Sequence, residues 1–285
     1  MNNKRKGIFY IICAGFFFSL MTLFIRFAGD VPTMQKAFFR NSVAVFVSIG
    51  LLIRSKDKIT IPKEGYTDLF LRASFGTIGL ITNFYAVDHL GLSDANILNK
   101  LSPFFAIVFS YFILKEKANK IEWACVLAAF FGAVFVVKPS FNMQSFYAIV
   151  GVISGMTAGL AYTYLRRLGN RGVPGSVIVL VFSLFSCAVT LPTMIFNYVP
   201  MSFIQLLALL CTGLAATGGQ LCITKAYTYA PAKEISVYDY TQVLFAALWG
   251  FVFLGQIPDL FSWIGYVIII GSAVFKWKYM LEVGK

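Results

Sequence analysis

Apolar residues run in blocks along this chain, and polar ones gather between them. Blocks long enough for a membrane helix begin near Gly7, Met34, Leu69, Ser93, Ile121, Phe146, Gly175, Phe203, Ile235 and Leu260. Pro, Gly or charge clusters separate most of them. A hydrocarbon core about 30 Å thick takes roughly 20 apolar residues per helix. The 285 residues therefore hold about ten spans with short loops, and nothing is left for a soluble domain. The predicted class is an all-α integral membrane protein.

The blocks repeat. Gly15, Leu20, Arg26 and Gly29 return 140 positions later as Gly155, Leu160, Arg166 and Gly169, without a gap. The same diagonal pairs Thr77 and Gly79 with Thr217 and Gly219, and Ala86, Phe105, Ala106, Leu114 and Trp123 with Ala226, Phe245, Ala246, Leu254 and Trp263. Single identities are cheap in an apolar sequence, so the long register carries the weight. Residues 1–140 and 141–285 are expected to be two five-helix copies, and an odd span count inverts the second copy in the bilayer. Secondary transporters are built this way.

Composition agrees: 59% of residues are hydrophobic and 13% charged, with a mean hydropathy of +0.77, too little polar surface for a water-soluble fold. Lys4, Arg5 and Lys6 precede the first block like the n-region of a signal peptide. That block runs too long and lacks a small-residue cleavage site, so a retained helix is expected. Cys13, Cys125, Cys187, Cys211 and Cys222 lie inside predicted spans without a CxxC or His-flanked pattern, which argues against disulfides and against a metal site.

A net charge of +12 raises nucleic acid as a partner, and the placement of the charges argues against it. Lys4 to Lys6, the loops with Arg54, Lys56, Lys58 and Lys63, with Lys115, Lys117 and Lys120, and with Arg166, Arg167 and Arg171, and the tail with Lys276, Lys278 and Lys285 all fall on one predicted face. The loops near Asp88, Tyr198 and Pro258 hold almost no Lys or Arg. The positive-inside bias then places both termini of a multi-pass cell-membrane protein in the cytoplasm.

Arg72-Ala-Ser-Phe-Gly-Thr-Ile-Gly, Asn83-Phe-Tyr-Ala-Val-Asp-His-Leu-Gly-Leu-Ser-Asp-Ala, Ser102-Pro-Phe-Phe and Leu114-Lys-Glu116 together resemble the core block of EamA-type carriers of the drug/metabolite transporter superfamily. The resemblance is strong in the first half and weaker in the second, where Ala226-Tyr-Thr-Tyr-Ala-Pro231 stands at the Tyr-Ala block and Gln256 replaces the loop Glu. It implies ten helices, an inverted repeat, cytoplasmic termini and a central cavity lined mainly by the first, third, fourth, sixth, eighth and ninth helices.

Ionisable side chains deep in a span normally face a cavity or a partner. Arg40, Arg72, Lys100, Lys225 and Asp239 are such residues. Lys100 shares a helical face with Ser93, Asn96 and Pro103, beside Asn99, and Pro103 frees a carbonyl about one turn earlier. This suits a binding site, although a Lys also snorkels to the surface. Asp239 is the candidate for a coupling proton, or else pairs with Lys225. Arg72 shares a face with Gly76, Gly79 and Asn83, the glycines suited to helix approach and the arginine suited to either the cavity or the cytoplasmic rim. Arg40 is an outer electrostatic lure or a partner of Asp30 or Asp94.

Polar stripes add Ser19 on the first span, Tyr162 on the sixth and Gln220 on the eighth. Tyr85, Tyr240 and Trp249 supply an aromatic wall, or an interfacial belt. His89, the only histidine, is expected in an outer loop. The candidate substrate-binding set is thus Lys100, Asn96, Asn99, Arg72, Asn83, Tyr85, Gln220, Lys225, Tyr240, Trp249, Ser19 and Tyr162, with no catalytic residue, metal or cofactor.

Four positive candidates against one negative favour an anionic or zwitterionic organic solute, carried by alternating access with a coupling proton or by exchange. Export of cationic drugs and a non-transport scaffold are the alternatives. No HExxH, GxSxG, Walker loop or Asp cluster supports an enzyme. Both halves lie in one chain, so a monomer can build the site, and a homodimer stays open.

Overall fold

A computed structural model describes residues 3–54, 61–90, 98–137, 145–255 and 257–283. Its regular elements are helices: α1 (Asn3–Phe27), α2 (Thr33–Arg54), α3 (Lys63–Leu90), α4 (Ser102–Leu114), α5 (Lys120–Val137), α6 (Ser145–Asn170), α7 (Gly175–Phe196), α8 (Phe203–Tyr229), α9 (Thr241–Leu254) and α10 (Leu260–Val283). Among the described residues, seven helical segments are long and apolar enough to cross a membrane, and Ser102–Leu114 is a shorter apolar helix. Large apolar side chains such as Phe46, Phe112, Phe131, Phe203, Trp263 and Val267 stand exposed on the outside, the surface expected where lipid rather than water is the solvent.

Two predicted spans are interrupted. In the fourth, Leu98 and Asn99 are helical, Lys100 and Leu101 form a turn, and helix resumes at Ser102 with Pro103 in its first turn. Pro103 has no N–H to donate, so it sits where none is needed. The ninth opens as a single helical turn, Ala232–Ile235, tightens into a 3-10 turn over Ser236–Tyr240, and becomes regular at Thr241. Lys100 and Asp239 therefore occupy irregular backbone ahead of α4 and α9 rather than the middle of continuous helices. Irregular backbone at membrane depth is tolerated where it is buried in protein or lines a cavity.

The two halves interlock. α1 packs on α8 and its counterpart α6 on α3; α2 packs on α7 and α5 on α10; α1 meets α9 as α6 meets α4. The repeated glycines make these approaches close. A Cβ on Gly15 would lie 3.1 Å from the backbone N of Gln242, and one on Gly155 would lie 2.7 Å from the carbonyl of Leu98. The repeat also holds at the far ends of α4 and α9. Lys115 and Gly255 both adopt the left-handed conformation, φ 60° and 63°, and their N–H groups donate to Ser110 O and Gly250 O. Glycine reaches that φ without strain, whereas Lys115 is held there against it.

Helix direction follows from the ends that meet. Lys4 at the start of α1 pairs with Glu234 just beyond α8, at 3.0 Å. Arg166, near the end of α6, donates to Thr228 O at the end of α8, at 2.8 Å. Gln205 at the start of α8 donates to Ala28 O, past the end of α1, at 3.2 Å. α1 and α6 therefore run in opposite directions. Lys4, Lys117, Arg166, Arg167 and Arg171 share one end of the bundle through the contacts Lys4–Glu234, Lys233–Lys117 O, Arg166–Glu116 and Arg167/Arg171–Asp68. Lys56, Lys58, Lys285, Asp94, Gln256 and the connection 91–97 lie outside the described residues.

Candidate functional site

A cavity of about 250 Å³ lies between the halves. α1 contributes Phe18, Met21, Thr22 and Ile25, and α2 contributes Thr33, Lys36 and Arg40. α3 contributes Arg72, Gly76, Gly79, Leu80 and Asn83, and α6 contributes Ala158, Ala161 and Tyr162. Phe182 of α7, Gln220 of α8, and Asn99, Lys100, Ser102, Asp239 and Gln242 around the two interruptions complete the wall. The second and seventh helices thus join the six that the family resemblance implied. Ile25, Thr33 and Lys36 carry the lining to where α1 ends and α2 begins. The opposite end is bound by ion pairs: Arg166 meets Glu116 at 3.2 Å and the carbonyls of Tyr227 and Thr228, while Arg167 and Arg171 share Asp68 at 3.4 and 3.1 Å.

Lys100 and Asp239 meet across the halves. The Lys100 ammonium lies 3.0 Å from Asp239 Oδ2, 2.7 Å from Gln242 Oε1 and 3.5 Å from Asp239 O. Asp239 and Gln242 hold the ammonium inside the bundle, so it does not snorkel to the surface. The Tyr240 hydroxyl donates to Lys100 O at 2.9 Å, and on the 140-residue register Tyr240 is the counterpart of Lys100 itself. Each interruption thus satisfies groups of the other. Asn99 donates to Ser154 Oγ at 3.1 Å, tying the same turn to α6.

The arginines differ. Arg72 is 3% exposed. Its Nη2 donates to Gln220 Oε1 at 3.1 Å, and its guanidinium lies over the Phe182 ring, 4.4 Å from the centroid, a favourable stacking for a planar cation. Its Nε and Nη1 have no hydrogen-bond partner among the described residues. Arg40, 5% exposed, likewise has Nε and Nη1 unpartnered. Its expected pairing with Asp30 is not formed, and Asp94 is not described. Asn83 Oδ1 is buried without a donor as well. Arg72 belongs to the cavity, not to the cytoplasmic rim. Gly76 serves it directly, since a Cβ there would collide with Arg72 Nη1 and lie 2.9 Å from Phe182. Gly79 serves helix approach as expected, 2.9 Å from Thr157 Oγ1 of α6.

Several candidates stand elsewhere. Lys225 does not line the cavity: its ammonium lies over the Tyr10 ring at 5.1 Å, and Asp239 takes Lys100 as partner instead. Trp249 donates to Ser19 Oγ at 2.9 Å, a link between α1 and α9 that occupies both side chains. Tyr85 is 40% exposed and joins His89 and Tyr147 in a ring cluster with centroid separations of 4.2 and 4.5 Å about His89. Tyr240 is fully buried beside the cavity, and Tyr162 stacks on Tyr227 at 5.0 Å. Asn96 lies outside the described residues. Lys36 and Phe182 line the cavity without having been singled out. Lys36 lies one turn before Arg40 on the same helical face, a signal the sequence did carry; Phe182, in an apolar block, carried none. Among the described residues no His, Cys, Asp or Glu cluster fits a metal ion, and the five cysteines are free thiols.

A helical membrane bundle in two interlocked halves, closed around a charged cavity of solute size, has the architecture of a membrane carrier. The EamA-like transporter family matches residues 5–138 and 145–276, and the chain belongs to that family. It is 31% identical over 273 residues to the pseudopaline exporter CntI of Pseudomonas aeruginosa, covering 95% of each chain. It is 25% identical to human solute carrier family 35 member G1 over 95% of this chain and 80% of that one. A crystal structure of a protein 18% identical superposes with a TM-score of 0.81 over 95% of this chain and 96% of the other, a likeness of fold. The protein is a multi-pass membrane transporter of the EamA and drug/metabolite type.

Proposed function

We propose that the protein is a secondary carrier for a small anionic or zwitterionic organic solute, bound in the cavity by Arg40 and Arg72 and moved by alternating access of the two halves. One observation carries this reading: two nearly fully buried guanidinium groups face the cavity with four N–H-bearing nitrogens unsatisfied among the described residues. A buried donor without an acceptor is costly, and a buried cation without a counter-charge more so. A carboxylate or phosphate entering the cavity supplies both, through charge-assisted hydrogen bonds. A bulky cation would meet repulsion from the same groups.

In the same reading the chain forms ten spans, as inverted repeats over 1–140 and 141–285, with both termini in the cytoplasm of a cell-membrane protein. The basic end bound by Arg166–Glu116 and Arg167/Arg171–Asp68 is then the cytoplasmic end, and the cavity opens outward. Lys100–Asp239 joins the two repeats at the floor, where Asn99 and Gln220 complete the polar wall. Asp239, the carboxylate partner of Lys100, is the proposed carrier of a coupling proton. A monomer builds the whole cavity. The pseudopaline exporter relative supports outward movement of an organic solute.

The test is a thermal-shift screen of detergent-purified protein against carboxylates, amino acids, phosphate esters and quaternary amines, since a ligand that binds only the folded state raises its apparent stability. Stabilisation by anions or zwitterions that Arg72→Gln weakens and the double variant Arg40→Gln with Arg72→Gln abolishes is expected. Stabilisation by quaternary amines alone, unchanged in Arg72→Gln, overturns the assignment.

A further inference from the structure

We infer that the solute carries two anionic groups, one held by Arg40 and the other by Arg72; this rests on the anion-carrier reading above and narrows it. Charge balance comes first. Among the described lining residues the ionised groups are Lys36, Arg40, Arg72, Lys100 and Asp239. Lys36 donates to Gly29 O at 2.6 Å, and Lys100 and Asp239 cancel each other at 3.0 Å. Arg40 and Arg72 remain, two positive charges on side chains at least nine-tenths buried. A monoanion would leave one cation uncompensated in a medium where an unpaired charge is costly, whereas a dianion neutralises the pair.

Placement comes second. Arg40 projects from α2 and Arg72 from α3, so they approach the space from different helices. Each keeps its own unsatisfied Nε and Nη1, while Gln220 and Phe182 pin Arg72 in place. Arg40 shares its helix face with Lys36, whereas Arg72 is held by Gln220. On this inference each arginine supplies one anion seat. Asn83 Oδ1, buried without a donor in the same wall, accepts from a hydroxyl or ammonium on the body between the two anionic groups. A cavity of about 250 Å³, just under the usual lower bound of roughly 300 Å³ for ligand pockets, suits a compact dicarboxylate or a phosphorylated small acid.

The test compares acetate and butyrate with succinate, glutarate and 2-hydroxyglutarate by thermal shift and by calorimetry on detergent-purified wild-type protein, Arg40→Gln and Arg72→Gln. Dicarboxylates are expected to bind at least about tenfold more tightly than monocarboxylates of similar size, a difference of about 1.4 kcal/mol. Either variant should bring that ratio near one while still binding monocarboxylates at the remaining arginine. If one carboxylate bridges both arginines, each variant weakens both ligand series in parallel, and the two-seat inference is overturned. Equal affinity of both series for the wild type also overturns it and leaves the anion-carrier reading standing. Binding of quaternary amines with no carboxylate bound removes both. Arg40→Lys keeps the charge and should retain most of the ratio, which separates seat loss from misfolding. The wild-type ratio decides on its own if a variant proves unstable.

Discussion

The same side chain behaves in opposite ways at the two ends of this bundle. Arg166, Arg167 and Arg171 at the basic end each find a carboxylate, and Arg166 also takes two main-chain carbonyls. Arg40 and Arg72, in the cavity, find no carboxylate among the described residues. The contrast is not one of burial alone, because Asp68 at the basic end is only 3% exposed. Charge at the basic end is consumed by closure of the protein on itself; charge in the cavity stays uncompensated among the described residues. Lys100–Asp239 stands between these regimes, a cavity-wall pair that spends its charge internally while linking the two interrupted helices.

Perturbing each class of charge in turn tests that contrast. The largest effect should come from Lys100→Ala. It strands Asp239, whose side chain is only 6% exposed, and breaking one side of a buried pair typically costs about 3–5 kcal/mol. Denaturation in detergent micelles should register that loss, and Lys100→Leu with Asp239→Leu should recover most of it. A single-variant loss below about 1 kcal/mol would place the pair with weak surface bridges instead.

Arg166→Gln comes next. It removes a carboxylate contact and two carbonyl contacts from a partly buried group, and a loss of about 2 kcal/mol is expected. A cysteine placed in the cavity should also become more reactive to a reagent added from the basic end.

Arg40→Gln should move the other way. Unliganded protein gains about 1–2 kcal/mol, because an intramembrane charge costs about 2.5–3.5 kcal/mol on insertion scales, while uptake or efflux of the bound anion in proteoliposomes falls more than about tenfold. Lower stability together with intact transport would show that Arg40 has a structural partner and would erase the contrast between the ends. The smallest effect belongs to Lys4→Gln. Its side chain is 48% exposed, and such a pair contributes about 0–1 kcal/mol, so melting should barely shift.

Much of this arrangement is legible in the sequence. The 140-residue register that links Gly15 to Gly155 predicts two like units, and both glycines do the same work, letting α1 and α6 reach the starts of α9 and α4. Intramembrane charge singles out Lys100, Arg72, Arg40 and Asp239, all of which line the cavity, and equally Lys225, which rests on Tyr10 instead. Trp249 and Ser19 were chosen as polar groups on the right helices, yet they satisfy each other.

The amino-acid sequence by itself determined the helical membrane class and the duplication, because hydropathy and repeat register are local properties summed along the chain. Partner choice was decided only by the tertiary structure. Whether an ammonium finds a carboxylate or a guanidinium is left with none depends on which side chains arrive within about 3 Å of one another. That distance is set by the interruptions ahead of α4 and α9 and by the packing of one half on the other, and neither is a property of any single stretch of sequence.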